Sequence, residues 1–366
     1  MCGEYILIVA RSGRMLAEAA ARSGYRPLVI DLFGDVDMQR YAEASERVET
    51  LSKAALEVAV HDLQSRYRLR NVVFGSGLEQ HLDSLEWLER SFGLLGNSAD
   101  TLRRLQDKRH FFEVLDRFSI AYPAVSFAPP ADVSEAWLIK PEVGEGGVGV
   151  CRYAVDYQTP GCYWQRYIDG VPGSVLFLAN RSHALAVGFN TQWTEQVDER
   201  NEFLFGGIAN KNPLSPKQTS TVCRWISVLT REYALRGLNS LDFIVAGERV
   251  YVLEINARPP ASMQLYCFDL FEAHVKNSLK LTADRVGAAH RIDAYQIIYA
   301  DRNLIVPELF VWPENCRDLP IPGSIIRKGQ PICSIIARDK SLRCVRACLD
   351  ESRKHLIQSL TIYKGD

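Results

Sequence analysis

The stretch LDFIVAGERVYVLEINARPP, residues 241–260, decides the fold of the region around it. Two apolar runs flank a turn at 246–248, which predicts two antiparallel strands. In such a hairpin Asp242 falls opposite or diagonal to Glu254, so their carboxylates meet. The alternation of side chains along a strand places three polar residues on one face of the second strand, before two prolines end it: Glu254, Asn256 and Arg258.

These side chains have the chemistry of a metal site. Two carboxylates and an amide oxygen on one surface suit one or two Mg²⁺ ions, which in proteins usually also hold waters and nucleotide phosphates. The sequence therefore predicts that Asp242, Glu254 and Asn256 bind a metal. The planar guanidinium of Arg258 suits a carboxylate or a phosphate in transfer. The alternative is a surface hairpin with a solvated charge on each strand, which the apolar neighbours of both carboxylates disfavour.

A second segment, LIKPEVGEGGVGV at 138–150, combines a lysine with a glycine-rich loop. Lys140 closes an apolar strand and four glycines follow: Gly144, Gly146, Gly147 and Gly149. Glycines let backbone N–H groups approach phosphates closely, so we predict a phosphate lid. A dinucleotide site would need a helix next, whereas the strand-like run VCRYA follows. A flexible hairpin with a solvated lysine stays the alternative.

Two weaker elements complete the set. The extended run YWQRYIDG at 163–170 would present backbone groups to the edge of an adenine, although the segment alone equally fits a core strand. Lys108 lies in a helical stretch, where a lysine is by default exposed to solvent.

The rest of the chain predicts an α/β protein. From Tyr5 to about Gly75, apolar strands alternate with helical patterns, which is typical of βαβ units and of a doubly wound parallel sheet. The first turn lacks a glycine fingerprint, so this domain is expected to form a substrate wall. Short, mainly antiparallel strands follow from about Val125, then a long helix at roughly 217–235. After Asp293 a β-hairpin and a terminal helix are predicted.

Bulk properties exclude several classes of protein. The chain has 366 residues, more than the roughly 250–300 at which one core stops growing, so several subdomains are expected. A net charge of −1 gives no footprint for nucleic acid, and no apolar run is long enough to span a membrane. Nine cysteines without a C-x-x-C predict reduced thiols in a cytoplasmic protein. The sequence leaves the oligomeric state open, with a homodimer as the commonest assembly.

The order and spacing of these elements carry a family resemblance. Asp107 with Lys108, the KP pair at Lys140 with its glycine loop, QRYIDG, Asp242 and E-x-N-x-R together resemble the ATP-grasp superfamily, over about Tyr5 to Arg258. The N-terminal domain and the motif G-x-x-I-x-x-G-x-P-I at 323–332 are similar to carboligases related to biotin carboxylase. That subgroup includes tyramine–glutamate ligase and proteins of methanofuran and tetrahydromethanopterin metabolism.

The resemblance implies an ATP-grasp fold in four parts. These would be an N-terminal α/β domain at 1–106, a small subdomain with the glycine loop at 107–180, a large subdomain with the metal site at 181–290, and a C-terminal β-hairpin and helix at 291–366. The nucleotide-binding part would be α+β.

The resemblance also implies roles for named residues. The implied cofactors are ATP and Mg²⁺, with Mn²⁺ as an alternative to Mg²⁺. Lys108, Lys140 and the four loop glycines would contact the phosphates, and Asp242, Glu254 and Asn256 would hold the metal. Lys140 and Arg258 would act in catalysis, with Arg258 steadying an acyl phosphate. Adenine would sit on the hinge formed by Gln165, Arg166, Tyr167 and Ile168. The chain departs from the family at Gln165, where many members carry glutamate.

The implied reaction is that of an ADP-forming carboxylate–amine ligase acting on small molecules. The alternatives are a carboxylase that uses bicarbonate as the acid and a nucleotide-binding sensor without turnover. A biotin carrier in the same chain is disfavoured because no Met-Lys-Met segment is present.

Overall fold

A computed structural model describes residues 3–131, 136–154, 160–266, 269–281 and 291–362. The first part is a five-stranded parallel sheet with the strand order β3-β2-β1-β4-β5, which confirms the predicted parallel sheet. The elements in chain order are β1 (Tyr5–Val9), α1 (Arg14–Arg22), β2 (Arg26–Asp31), β3 (Ala44–Arg47), α2 (Lys53–Arg66), β4 (Asn71–Phe74), α3 (Leu82–Ser91) and β5 (Gly93–Leu94). β1 is apolar throughout because alternate residues enter separate apolar clusters on the two faces of the sheet.

Two helices lead away from this sheet. They are α4 (Ala99–Gln106) and α5 (Lys108–Arg117), where the sequence predicts one helical stretch. The helical conformation is interrupted at Asp107. The carboxylate of Asp107 accepts a hydrogen bond from the backbone N–H of His110 and caps α5. The cap places Lys108 in the first turn of a new helix.

A small antiparallel sheet follows, with the strand order β6-β9-β7-β8. Its strands are β6 (Val125–Ser126), β7 (Trp137–Pro141), β8 (Cys151–Arg152) and β9 (Cys162–Arg166). The glycine loop connects β7 to β8, as the sequence predicts.

The largest sheet has eight strands in the order β14-β13-β10-β11-β12-β15-β19-β17. Its first part comprises β10 (Val171–Asn180), β11 (Ala184–Glu195), β12 (Leu204–Ala209), α6 (Pro216–Tyr233), β13 (Arg236–Ala246) and β14 (Arg249–Asn256). The predicted long helix is α6, which begins at a capping box between Ser215 and Gln218 and ends at Ala234, a residue with φ of +49°.

The C-terminal strands pair differently from the predicted hairpin. The remaining elements are α7 (Leu270–Val275), β15 (Ile292–Tyr299), β16 (Leu304–Ile305), β17 (Cys316–Arg317), β18 (Ile325–Ile326), β19 (Pro331–Asp339) and α8 (Leu342–Ile362). β18 pairs with β16, whereas β19 pairs with β15 and β17, so the two strands of the expected hairpin belong to different sheets. The terminal helix forms as predicted. The domain boundaries at 106, 180 and 290 stay predictions.

Across the described residues, no helix combines the length and apolar character needed to cross a membrane.

Candidate functional site

The hairpin of β13 and β14 brings the predicted carboxylates together. Asp242 lies directly opposite Glu254, and Ser240 lies opposite Asn256. The amide Nδ2 of Asn256 donates a hydrogen bond of 3.1 Å to Asp242 Oδ2. A bulge between Asp242 and Phe243 shifts the strand register immediately after this pair. The predicted pairing of the two carboxylates is confirmed.

The surroundings of Asp242 disfavour the charged form of its carboxyl group. Its Oδ1 is buried and finds no hydrogen-bond partner within the described part of the chain. Burial, and after it the neighbouring Glu254, raises the pKa of Asp242 to about 7, although Arg258, Asn256 and Gln192 lower it. Two adjacent carboxylates with an unsatisfied oxygen favour a bound proton or cation. The donor set thus fits a divalent cation with hard oxygen ligands.

The pair is completed by an amide and not by a third acid. Among the residues that the structure describes, no cluster of three or more His, Cys, Asp or Glu side chains could hold a metal ion. Asn256 uses its Nδ2 for Asp242, which leaves its Oδ1 as an acceptor towards a cation.

Lys140, at the end of β7, faces the carboxylate pair. Burial lowers the pKa of this lysine, while Glu254 and Asp242 raise it in part, which places the ammonium within electrostatic reach of both acids. Its Nζ donates a hydrogen bond of 3.1 Å to Gln165 Oε1 and lies 5.9 Å from the centroid of the Tyr163 ring. Gln165 is itself only 2% exposed, and none of the described residues accepts a hydrogen bond from its Nε2.

Lys108 approaches the same place from α5. Burial raises the pKa of Tyr163, and the positive charge of Lys108 is the largest influence against that rise. Lys108 therefore lies near the ring that Lys140 also contacts. The structure places both predicted phosphate lysines near Tyr163.

The glycine loop is packed against the segment that leads into β12. A Cβ on Gly147, where φ is +76°, would lie 2.0 Å from the carbonyl oxygen of Phe203, so only glycine fits there. The carbonyl of Gly146 accepts a 2.8 Å hydrogen bond from the N–H of Phe205. The N–H of Gly149 is already donated to Asn201 Oδ1 at 3.1 Å. The loop is thus held against residues 201–205, and the Gly149 N–H is engaged by protein.

In the predicted hinge, residues 165–168, one backbone N–H group makes no hydrogen bond to the described residues. The N–H groups of Arg166 and Tyr167 donate to the carbonyls of Ala124 and Ala136, each at 2.8 Å. The N–H of Ile168 makes no hydrogen bond to any other described residue. Of the four hinge residues, Ile168 therefore offers the N–H group that an adenine nitrogen would accept.

Arg258 follows β14 and is held by groups that sequence reasoning missed. Its Nε donates to Glu79 Oε1, and its side chain is 13% exposed. Burial alone would lower the pKa of Arg258, yet Glu79, Glu145 and Asp242 raise it overall. Glu145 in turn pairs with Arg11. Arg258 is therefore a fixed, fully charged group beside the carboxylate pair.

A signal for two of the missed residues exists in the sequence. Arg11 and Glu79 lie in the loops that follow β1 and β4. These loops leave the carboxyl ends of parallel strands, where open α/β sheets bind ligands. Searching those loops for charged residues would have found both.

Comparisons with known proteins concern the fold. Residues 105–262 match the family model of the ATP-grasp domain. A comparison with curated protein sequences finds no match.

Solved structures share the fold over nearly the whole chain. Pyruvate carboxylase of Rhizobium etli matches with 14% identity and a TM-score of 0.73, over 96% of this chain but only 37% of that one. Biotin carboxylase of Campylobacter jejuni, described as a complex with β,γ-ATP, matches with 14% identity and a TM-score of 0.69, over 94% of this chain and 90% of that one.

L-amino acid ligase of Bacillus licheniformis matches with 13% identity and a TM-score of 0.70, over 97% of this chain and 98% of that one. At these identities the structural likeness shows the fold alone. Together with the match of residues 105–262 to the ATP-grasp domain, it shows that this chain has an ATP-grasp fold.

Proposed function

We propose that this chain is an ATP-dependent ligase that transfers the γ-phosphate of ATP to a carboxylate, which gives an acyl phosphate and ADP. An amine then attacks the acyl phosphate, forming an amide and releasing inorganic phosphate. The observation that carries the proposal is the Asp242–Glu254 pair, in which Asp242 Oδ1 has no hydrogen-bond partner among the described residues. Both acids lie within electrostatic reach of Lys140, and Asp242 lies within electrostatic reach of Arg258. Phosphoryl transfer needs mainly positioning and charge neutralisation, which these groups supply.

Asp242, Glu254 and Asn256 are the proposed ligands of Mg²⁺, and Mn²⁺ would fit the same oxygens. The bound ion would neutralise charge on the β- and γ-phosphates of ATP. The protein's contribution is to hold two carboxylates side by side, so that the unsatisfied oxygen of Asp242 gains a partner only when the cation is present.

Lys140 and Lys108 are proposed to bind the phosphates, under the loop that carries Gly144, Gly146, Gly147 and Gly149. Lys140 is buried and lies within electrostatic reach of the carboxylate pair, so its ammonium would meet the end of the phosphate chain. Adenine is proposed to lie along residues 165–168, with the N–H of Ile168, which has no acceptor among the described residues, as donor. A closed loop over this site would also keep water from an acyl phosphate.

Arg258 is proposed to hold the reacting carboxylate and then its acyl phosphate. The only hydrogen bond found for its guanidinium within the described residues is the one from Nε to Glu79. Both terminal nitrogens are therefore left for anionic oxygens in a bidentate arrangement.

The substrate pair rests on analogy. The structural neighbours include an L-amino acid ligase and an N5-carboxyaminoimidazole ribonucleotide synthetase of Thermotoga maritima, which make ligation a consistent reading of the fold. The subgroup resemblance in the sequence puts glutamate with tyramine first among the pairs to try. We also expect a cytoplasmic enzyme and a homodimer.

The first experiment is mass spectrometry of the purified protein with Mg-ATP and a panel of carboxylates and amines, including glutamate with tyramine. ADP together with a new amide is the expected result. AMP as the nucleotide product contradicts the acyl-phosphate route. A carboxylated product that requires bicarbonate would instead identify the protein as a carboxylase.

A second experiment uses a variant to distinguish an enzyme from a nucleotide sensor. Glu254→Gln removes one metal ligand and keeps the size of the side chain. ADP formation should fall by about 10²-fold or more, because charge stabilisation in the transition state is lost. Nucleotide affinity should change by less than about tenfold. Equal losses of binding and turnover would argue against a catalytic metal site.

A further inference from the structure

Glu145 is a buried acid on the glycine loop with half of its hydrogen-bonding capacity unused. Its side chain is only 9% exposed, although both neighbouring residues are glycines on an exposed loop. Oε1 accepts from the Nε of Arg11, whereas Oε2 is buried and has no hydrogen-bond partner among the residues that the structure describes. A buried carboxylate oxygen without a donor is costly, so this atom is suited to a donor from a ligand.

The loop fixes the position of this side chain. The carbonyl of Glu145 accepts a 3.2 Å hydrogen bond from the N–H of Val148, and Gly146 is tied to Phe205. Glu145 is also close enough to Arg258 to raise the pKa of that guanidinium. The Glu145 carboxylate therefore lies near the guanidinium that is proposed to hold the acyl group.

The local charges select the kind of group that binds there. Two guanidinium groups, Arg11 and Arg258, face two carboxylates, Glu79 and Glu145. The set is balanced, so an anion next to Oε2 would be repelled by Glu145. A primary ammonium is compact, carries three donors and has the matching charge.

We propose that Glu145 is a catalytic residue that binds the attacking amine as its ammonium ion and takes a proton from it. This rests on the proposed ligase function and adds the group that activates the nucleophile. The ammonium gives one proton to Oε2, and the neutral nitrogen attacks the acyl carbon. The C–N bond forms while the bond from carbon to the phosphate oxygen breaks. The phosphate leaves with that electron pair and takes the second nitrogen proton, and Glu145 later returns its proton to water.

Hydroxylamine separates this role from acyl-phosphate formation. It is largely uncharged near neutral pH, so it attacks an acyl phosphate without first giving up a proton. In the Glu145→Gln variant, hydroxamate formation should stay within about threefold of the unsubstituted protein. Amide formation from a charged amine should fall by about 10²–10⁴-fold, the usual contribution of a general base. Glu142→Gln is the matched control, because it removes another carboxylate of the same loop.

The assays use a carboxylate that gives hydroxamate with the unsubstituted protein, and ammonium chloride, methylamine and tyramine as the amines. Loss of amide with retention of hydroxamate and of the KM for ATP supports the proposal. Equal loss of both products, or a raised KM for ATP, would show that Glu145 only closes the loop. If the unsubstituted protein forms hydroxamate but forms no amide with any of the three amines, the ammonium site is overturned. The ligase chemistry is then left intact. No hydroxamate from any carboxylate of the panel contradicts the proposed function itself, and this inference with it.

Discussion

Glu79 and Arg258 form an ion pair that joins the segment after β4 of the N-terminal sheet to the end of the β13–β14 hairpin. The Nε of Arg258 donates to Glu79 Oε1, and Glu79 Oε2 accepts a 2.7 Å hydrogen bond from the N–H of Gly77. Both side chains are largely buried, at 13% and 16% exposure. The guanidinium is therefore oriented by a part of the chain that contributes no metal ligand.

Glu79→Gln should lower turnover without harming nucleotide binding. The amide keeps the size of the side chain but loses the charge that fixes Arg258, and a misplaced guanidinium can cost about 10²-fold in kcat/KM for the carboxylate. The KM for ATP should stay within about threefold. Glu86→Gln, which breaks an exposed pair with Arg103, is the control. Steady-state kinetics with each substrate varied would contradict this role if both KM values rose together.

Asp242→Asn should stabilise the metal-free protein at alkaline pH while abolishing ADP formation. The pKa of Asp242 is raised from 3.8 to about 7, so the folded state holds a proton that the unfolded state has lost. Stability therefore falls as pH rises from 3.8 to about 7, and an uncharged Asn escapes that loss. A gain of about 2 kcal/mol at alkaline pH is expected, measured by urea unfolding with a chelator present. Equal stability of the two proteins at alkaline pH would speak against a strained carboxylate pair.

Affinity for the magnesium–nucleotide complex should rise with pH up to about 7 and then level off. The cation must displace the proton that burial and Glu254 keep on Asp242, whose pKa is about 7. Below that pH the apparent affinity should fall by up to about tenfold per unit. Magnesium titrations with a non-hydrolysable ATP analogue would measure it. The Asp242→Asn variant is the control, because any pH dependence that it shows comes from titration of the nucleotide itself. If affinity depended on pH with the same slope in both proteins, the cation would not compete with a proton on Asp242.

His274 should make the fold sensitive to acid. Its ring is 1% exposed, Nδ1 accepts from the N–H of Leu238 at 2.9 Å, and Nε2 lies 3.2 Å from the carbonyl oxygen of Leu95. Burial lowers the pKa of His274 from 6.5 to about 4. The neutral ring thus contributes stability that is complete above pH 6.5 and is lost as pH falls through 4.

The expected loss for His274 is about 2–3 kcal/mol across that interval. His274→Asn should be less stable at neutral pH but should lack this part of the acid dependence. Urea unfolding at a series of pH values measures both slopes, and parallel slopes would assign the acid sensitivity to other groups.

The sequence predicts the parts of the site that depend on local periodicity. Asp242 and Glu254 are 12 residues apart on two strands joined by a short turn, so strand alternation alone places them together. The glycine loop and Lys140 are likewise adjacent in the chain. The parallel sheet also follows from its buried apolar strands.

The parts that sequence reasoning missed are long-range contacts. Glu79 and Arg258 are separated by 179 positions, and Arg11 and Glu145 by 134. Nothing in a local pattern relates such residues, because their contact depends on how the sheets are arranged. The prediction of a C-terminal hairpin was wrong for the same reason. Gly329 does form a turn, with φ of +86°, but the following strand finds its partner at 292–299.

The most direct test of the central claim follows an oxygen atom. A carboxylate substrate labelled with oxygen-18 in its carboxyl group is incubated with Mg-ATP and its amine, and the inorganic phosphate is analysed by mass spectrometry. An acyl phosphate held by Arg258 predicts that one labelled oxygen passes into the released phosphate. Unlabelled phosphate, or label recovered in AMP, would contradict the mechanism.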